Sequence, residues 1–295
     1  MPSHQRSFIK INNLAVRKPY PGSQLHTSIT LYTHPMSPCS QKVRIILAEK
    51  NLPWDKVDIN LPAKENLKPE YLKLNPLGVV PTLVHNDQPV IESSIISEYL
   101  EDAFPEPRMR PNEPHQIAKM RFWMKHIDIK VHPSCGALQW PLVMADKLRE
   151  MSEAEQEEMI NKVVEKPRRE RQRRLLKMGY DAPDIIDAIG VYEKTIVDME
   201  KTLSNQAWLA GDEFSLADAG MAPYFQTLQQ FGWREWFANR SHVANWYDRC
   251  VARPSYQSGV AADFSEEKQA DLLKRGEPAW QKIQSVLTEK HHWSA

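Results

Sequence analysis

The chain has 295 residues, of which 41% are hydrophobic, so it is long enough for one large domain or two domains with a substantial core. Lys and Arg together number 38, as do Asp and Glu, and this balance gives no reason to expect a nucleic acid or a membrane as a partner. No apolar run is long enough to cross a bilayer. The 3 scattered cysteines do not suggest a disulfide framework, and they favour a reducing, cytoplasmic location.

Residues 1–26 are interpreted as an N-terminal extension. They contain Lys and Arg but no Asp or Glu, a composition that also occurs in organelle targeting segments. An arm that lies on the folded protein is the interpretation that we favour, and a targeting segment is the alternative.

Residues 27–105 show a pattern that predicts elements in the order β-α-β-α-β-β-α. The expected strands are 29–34, 54–59, 82–85 and 90–91. Three helices are expected: the first starts at Pro38, the second covers 71–74 and the third covers 95–100. The proline-containing segment 106–111 is interpreted as a linker, because Pro interrupts both helices and strands.

Beyond the linker, residues 112–260 are predicted to be helical, and residues 261–295 are interpreted as a C-terminal extension. Ser152 and Glu155 have the spacing of a capping box, which predicts the start of a helix. Pro167 interrupts the pattern that follows, so two helices or a kink are expected. The basic run after it is interpreted as a solvated helix face, with an anion site as the alternative. Its arginines are Arg168, Arg169, Arg171, Arg173 and Arg174.

A second capping box is predicted at Ser215 and Asp218. It would start a buried helix that includes Ala219, Met221 and Tyr224. Asp218 is therefore expected to have a structural role and not to act as a catalytic acid.

Ser37 is the first candidate for chemistry because it precedes Pro38, and Pro is favoured in the first position of a helix. A serine at the N-cap places its hydroxyl beside free backbone N–H groups, where an anion is stabilised. A free thiol with a pKa near 8.5 is only about 3% ionised at pH 7, and a drop of two units makes it about three-quarters ionised. Ser37 could thus hold a bound thiolate, or it could only cap its helix.

Cys39 competes with Ser37 for this role. It could form a mixed disulfide with a ligand or pack as a small apolar side chain. The sequence around it is not Cys-x-x-Cys, which argues against a dithiol cycle. Cys135 and Cys250 are interpreted as packing residues, and no spacing of His, Cys and carboxylate residues predicts a metal site.

Two further motifs mark ligand-binding backbone. Pro81 opens an apolar strand, where it cannot donate to a sheet, and an X-Pro bond can be cis. Glu92 and Ser93 stand at an expected helix start, where a side-chain oxygen could cap the helix or bind the amino and carboxylate groups of a ligand.

Together these motifs resemble the cytosolic glutathione transferases over residues 28–260. The segments that carry the resemblance are 37–44, 75–83, 92–93 and 215–218. The resemblance implies an α/β thioredoxin-like N-terminal domain over 27–105, followed by an all-α helical bundle domain over 112–260. It also implies glutathione as co-substrate, a small-molecule electrophile as its partner in the reaction, and a homodimer.

The resemblance assigns roles to individual residues. Ser37 would hold and activate the sulfur of glutathione, and the backbone of Val80, before a cis Pro81, would pair with the cysteinyl unit. Glu92 and Ser93 would bind the γ-glutamyl end.

The chain departs from the family at the glycyl end of glutathione. Val79 stands where relatives often have Gln or His, and Asn66 stands where many have His. Asn66 remains a candidate for glutathione binding. Either the affinity for glutathione is reduced, or Lys68 meets the glycyl end in place of these residues.

Two branches of the family are the most similar. Segments 120–125 and 152–161, and Arg173-Arg174 with Gly179, resemble bacterial glutathione-dependent β-aryl etherases. Segment 36–40, with Lys42 and Arg44, is similar to glutathione-dependent reductive dehalogenases and maleylacetoacetate isomerases.

We therefore expect a glutathione transferase that attacks an electrophilic, aromatic small molecule, with β-aryl ether cleavage as one possible reaction. Trp123 and Trp140 are candidates to line the acceptor pocket, and core packing is the alternative for both. Other functions remain open: reductive dehalogenation or isomerisation through Cys39, and a glutathione-fold protein that binds without catalysis.

Overall fold

The computed structural model describes residues 28–289, so the N-terminal extension and its basic composition lie outside the described residues. The first unit contains a 4-stranded sheet in the order β2-β1-β3-β4, in which β1 and β2 are parallel and the other pairs are antiparallel. The strands are β1 (Ile29–Thr33), β2 (Asp55–Asp58), β3 (Thr82–His85) and β4 (Gln88–Ile91). Its helices are α1 (Pro38–Glu49), α2 (Pro69–Leu72) and α3 (Ser93–Ala103), with a 3-10 turn at Glu65–Leu67.

The expected order of elements in this unit is confirmed, and so is the α/β fold class. Strand β1 alternates, so that Ile29 and Leu31 are buried on one face, and Leu31 pairs with the equally buried Leu83 of β3. Helix α1 carries Val43 and Ile46 into the same core, and it also packs against helices of the second unit. Because α1 lies between the two units, residues at its start can meet side chains from both.

The second unit is all helical, as expected, and its helices run from residue 114 to residue 289. They are α4 (Pro114–His126), α5 (His132–Val143), α6 (Ala145–Arg149), α7 (Glu153–Asn161), α8 (Lys166–Met178), α9 (Pro183–Leu203), α10 (Leu216–Gln230), α11 (Glu235–Ala238), α12 (Ser241–Val251), α13 (Pro254–Gly259) and α14 (Glu266–Glu289). Within residues 28–289, no helix is both long and apolar enough to cross a membrane.

A π-helical segment, Ile127–Val131, joins α4 to α5 within the region that was predicted to be helical. Pro133 follows this segment and has no amide hydrogen to donate to the carbonyl of Ile129. The wider turn accommodates that missing bond and sets the direction in which α5 begins. His132, the first residue of α5, is oriented by this turn.

The predicted break at Pro167 is confirmed as two separate helices, with Pro167 in the first turn of α8. The capping box at the start of α7 is also confirmed: the Ser152 amide donates to Glu155 Oε2 at 2.8 Å, and the Glu155 amide donates to Ser152 Oγ at 3.4 Å.

Helix α14 covers most of the segment that we interpreted as a C-terminal extension, and it packs closely on the helical core. A Cβ atom at Gly276 would lie 2.0 Å from the carbonyl oxygen of Phe231. The indole of Trp233 donates to the Gly276 carbonyl at 2.9 Å. The contact therefore requires glycine at position 276.

The capping box at the start of α10 is confirmed, and Asp218 has the structural role expected of it. Its Oδ2 accepts from the Ser215 amide at 3.0 Å, and its Oδ1 accepts from the Leu209 amide at 2.9 Å and from the Trp246 indole at 2.8 Å. The side chain is fully buried, so these donors have no water to replace it.

Replacing Asp218 with Ala is expected to lower the free energy of unfolding by about 3 kcal/mol, because several buried donors lose their acceptor at once. Urea unfolding followed by circular dichroism measures the change. Asp212→Ala, on an exposed aspartate of the preceding loop, is the control and should change it by less than about 0.5 kcal/mol. Equal effects of the two variants would contradict the structural role of Asp218.

Candidate active site

Ser37 is the N-cap of α1, and Pro38 is the first helical residue. The Ser37 Oγ accepts a hydrogen bond from the Ser40 amide at 3.3 Å. Because this bond uses a lone pair, the hydroxyl proton stays available to donate to an anion. The half-buried hydroxyl lies at the positive end of the α1 dipole, where a thiolate is stabilised.

The Val80–Pro81 peptide bond is cis, at the entry to β3. The preceding carbonyl, that of Val79, accepts from the Tyr71 hydroxyl at 2.6 Å and from the Asn75 amide at 2.9 Å. Neither the amide nor the carbonyl of Val80 is hydrogen-bonded to another residue in 28–289. Val80 therefore presents free backbone groups that could pair with an extended peptide.

Glu92 and Ser93 lie at the start of α3, as expected, but they have different surroundings. Glu92 is exposed, has a φ of 69°, and makes no capping hydrogen bond. Ser93 is buried, and its Oγ accepts from Lys42 Nζ at 3.2 Å. The Glu92 carboxylate is thus open to a ligand amine, whereas the Ser93 hydroxyl already has a partner in the protein.

Asn66 and Lys68 lie in the loop that leads to α2. The Asn66 Nδ2 donates to the Gly78 carbonyl at 2.6 Å, while its buried Oδ1 has no partner within 28–289. Lys68 pairs with Glu65 at 3.2 Å. The one free polar atom of Asn66 is an acceptor, so it does not match a glycyl carboxylate.

Trp123 and Trp140 both lie in the main hydrophobic core, with only 6% and 9% of their surface exposed. Trp123 packs edge-on against His126 at a ring-centroid distance of 5.8 Å. Both tryptophans thus pack in the core, which was the alternative considered for them, and they have little surface left for a ligand.

A three-residue cluster around Cys39 was not anticipated from the sequence. Cys39 Sγ lies 3.5 Å from His132 Nδ1 and 3.6 Å from the Tyr224 hydroxyl. The Tyr224 hydroxyl is also 3.2 Å from His132 Nδ1. The three side chains come from α1, α5 and α10, and the thiol is half-buried while the imidazole is exposed.

The electrostatics of this cluster favour an ionised thiol. Desolvation, the largest single influence, raises the pKa of Cys39, but the charge and hydrogen bond of His132, together with Lys42 and Ser93, lower it to about 6. The Cys39 thiolate in turn raises the pKa of His132, although desolvation opposes this. Both shifts favour the form of the pair with a thiolate and an imidazolium, in which a cysteine is nucleophilic.

The other two cysteines behave differently. Burial raises the pKa of Cys135 to about 11 and raises that of Cys250 well above its usual range. Both are free and fully buried, which agrees with their interpretation as packing residues.

Both halves of the chain match glutathione S-transferase models: residues 31–108 match the N-terminal domain and residues 193–254 the C-terminal domain. Protein LigF of Sphingobium sp. (strain NBRC 103272 / SYK-6) is 31% identical over 254 residues, which cover 84% of this chain and 97% of LigF. The chain belongs to the glutathione S-transferase family.

The chain is also similar to a solved structure and to a second relative. The crystal structure of β-etherase LigF from Sphingobium sp. strain SYK-6 superposes with a TM-score of 0.72 at 29% identity, covering 79% of this chain and 98% of that one. Maleylacetoacetate isomerase of Pseudomonas aeruginosa is 28% identical over 206 residues, which cover 68% of this chain and 82% of the isomerase.

Glutathione is the co-substrate of this family, and the residues present here fit it. The free backbone groups of Val80 suit the cysteinyl unit, the exposed Glu92 carboxylate suits the γ-glutamyl amine, and the Ser37 hydroxyl proton suits the sulfur. The arrangement thus offers two thiol-handling groups, Ser37 and Cys39, within the first turn of one helix.

We expect Cys39 to be alkylated by iodoacetamide with a rate midpoint near pH 6, because its pKa is about 6. His132→Gln removes the adjacent cation and should move the midpoint upward by about one pH unit or more. Peptide mass spectrometry measures the alkylation of each cysteine separately. Cys135 should stay unmodified at pH 7 because its pKa is raised to about 11.

The control for this measurement is His126→Gln, since His126 bonds to Thr195 at 2.9 Å and makes no hydrogen bond to Cys39. Its midpoint should match that of the wild type. A His132→Gln midpoint that stays near the wild-type value would assign the lowered pKa to Lys42 and not to His132.

Proposed function

We propose that this protein is a glutathione transferase that activates the glutathione thiol at Ser37 for attack on an electrophilic, aromatic small molecule. The observation that carries the proposal is the Ser37 hydroxyl at the N-terminus of α1, with a free hydroxyl proton and the positive end of the helix dipole. The free backbone of Val80, next to the cis Pro81, supports the same proposal.

In the proposed reaction, glutathione releases its thiol proton to solvent, and Ser37 donates a hydrogen bond to the thiolate. Lowering a thiol pKa by two units corresponds to about 2.7 kcal/mol, which one hydroxyl bond and a helix terminus can supply. The sulfur pair then forms a C–S bond while a C–O or C–halogen bond breaks. The leaving phenoxide or halide takes the bonding electrons, and a phenoxide is protonated by water.

Within this function we favour cleavage of a β-aryl ether. The support is the similarity to the β-etherase LigF of Sphingobium sp. strain SYK-6. Segment 152–161 and Arg173-Arg174, which carry part of the resemblance to the β-aryl etherases, lie in α7 with its N-cap and in α8.

The cluster of Cys39, His132 and Tyr224 supports a second candidate function, glutathione-dependent reduction of the substrate. Here glutathione first displaces a leaving group to form a conjugate, and the Cys39 thiolate then attacks the conjugate's sulfur. A disulfide forms between Cys39 and glutathione, the C–S bond breaks, and the carbon takes the electron pair and a proton. A second glutathione releases oxidised glutathione and regenerates Cys39, so two electrons pass from thiols to substrate.

Replacing Ser37 with Ala should lower the turnover of glutathione conjugation by about 10-fold or more, because the thiolate loses its hydroxyl donor. The assay follows glutathione consumption with an aryl ether, a chlorinated quinol and a nitroaromatic acceptor. Ser152→Ala is the matched control, since it removes the N-cap of α7, a loss of about 1 kcal/mol in stability, and no group near the site.

The two candidate functions give different results in the same assay. Under the first, Ser37→Ala is impaired and no oxidised glutathione accumulates. Under the second, the reaction of the Cys39→Ala variant stops at the conjugate of glutathione and substrate. Unchanged turnover in Ser37→Ala would contradict its role, and no heat of binding at millimolar glutathione would favour a non-catalytic binding protein.

We further propose a homodimer formed along α3 and α4. Arg121 of α4 pairs with Glu98 of α3 at 2.8 Å, so these helices lie side by side. Ile95 of α3, Phe122 of α4 and Ile129 of the π-helical segment are exposed, with 59%, 67% and 57% of their surfaces accessible. Large exposed apolar side chains on neighbouring elements favour burial against a second copy.

Phe122→Asp should weaken such a dimer by about 100-fold in Kd, because an aromatic contact is replaced with a charge. Light scattering after size-exclusion chromatography should then show a mass near the 34.2 kDa of one chain. Leu273→Asp, on the exposed face of α14, is the control and should leave the mass unchanged. A monomeric wild type at micromolar concentration would contradict the dimer.

A further inference from the structure

The arginines of the basic run in α8 divide into two groups. Arg173 pairs with Glu170 at 2.7 Å, and Arg174 pairs with Asp184 at 2.7 Å. Arg168, Arg169 and Arg171, in contrast, form no ion pair and no side-chain hydrogen bond with any residue in 28–289. Of these, Arg168 and Arg171 are separated by three positions, so they share one face of α8. The solvated-face interpretation therefore describes part of the run and not these two residues.

The face of α8 that carries Arg168 and Arg171 lies against α5. A Cβ atom at Gly136 would be 3.5 Å from Arg171 Nη2. In the 3-10 turn Gly179–Asp181, directly after α8, the Tyr180 hydroxyl donates to the Leu138 carbonyl. Later residues of one segment thus meet later residues of the other, so α5 and α8 run in the same direction. Arg168, one turn before Arg171, is thus level with His132, one turn before Gly136.

The charges agree with this placement beside the thiol cluster. The positive charge of Arg168 acts to lower the pKa of His132. Desolvation lowers the pKa of the Arg168 guanidinium itself, while Glu165 and the Cys39 thiolate act in the opposite direction. Arg168 is half-buried, and it has no bonded counter-ion within 28–289.

The two guanidinium groups also act on each other. Desolvation is the main cause that lowers the pKa of Arg171, and the charge of Arg168 lowers it further. Like charges held together in a partly desolvated place are unfavourable, and an anion entering between them relieves the repulsion.

We propose that Arg168 and Arg171 form a cationic wall beside Cys39 that binds the carboxylate of the acceptor, so that the preferred acceptors are electrophiles carrying a carboxylate. The inference rests on the proposed transferase function and adds a substrate class to it. Arginine suits this role because its planar guanidinium donates two parallel hydrogen bonds to a carboxylate. The two arginines belong to the helical unit, whereas the residues that fit glutathione belong to the first unit, so the wall lies on the acceptor side.

The test uses two isosteric acceptors, para-(chloromethyl)benzoate and para-(chloromethyl)benzamide, with glutathione. Both lose chloride as the benzylic carbon forms its C–S bond, and they differ only in charge. The wild type should prefer the benzoate in kcat/KM by about 10-fold, and Arg168→Gln or Arg171→Gln should reduce that preference by about fivefold or more. Arg173→Gln, which alters an arginine already paired with Glu170, should keep the wild-type preference.

Several results would overturn the inference. The first is a wild type with equal kcat/KM for both acceptors, and the second is a preference that survives in Arg168→Gln and Arg171→Gln. The third is a preference that is kept while KM for glutathione rises, because the arginines would then serve a carboxylate of glutathione. Circular dichroism melting confirms that each variant is folded.

Failure of the proposed function is separable from failure of the inference. A wild type that conjugates neither these acceptors nor any other with glutathione contradicts the transferase function. Calorimetry with the unreactive para-methylbenzoate and para-methylbenzamide then decides the inference alone. Tighter binding of the benzoate that Arg168→Gln removes would support the wall, and equal binding of the two compounds would overturn it.

Discussion

The arrangement of the site depends on one buried ammonium group, that of Lys42. Its side chain is fully buried, and a charge in such a place is tolerated only when it is hydrogen-bonded or paired. The Nζ donates to residues of α3 and of the π-helical segment: Ser93, Ser94 and Asp128 at 3.2, 2.9 and 3.4 Å. Lys42 thus ties α1 to both units and fixes the turn from which His132 emerges. The same charge helps to lower the pKa of Cys39.

Features that depend on a few neighbouring residues were predictable from the sequence. The capping boxes at Ser152 and Ser215, the hairpin between β3 and β4, and the break at Pro167 each follow from backbone hydrogen bonding within one turn. The position of Ser37 at the N-cap belongs to this group. Its chemistry does not, because activation depends on what the rest of the fold brings to that helix end.

The thiol cluster could not be predicted in this way, because Cys39 and His132 are separated by 93 positions and meet only through tertiary packing. Periodicity likewise could not distinguish a tryptophan in the core from one lining a pocket, and the burial of Trp123 and Trp140 settles that difference. The basic run shows the same limit. An arginine of this run is neutralised only if an acid of another segment lies beside it, as Asp184 does beside Arg174. The local sequence of α8 does not predict such pairs.

Ser37 and Cys39 lie within one helical turn, and this proximity constrains any chemistry that uses both. One helix terminus stabilises one anion well, and a second thiolate nearby is opposed by repulsion between like charges. If Ser37 holds the thiolate of glutathione, that charge raises the pKa of Cys39 and keeps its thiol protonated. Once the glutathione sulfur has formed its C–S bond the charge is gone, and His132 can again stabilise the Cys39 thiolate. Repulsion between the two charges therefore sets the order of the steps: glutathione transfer at Ser37 comes before any attack by Cys39.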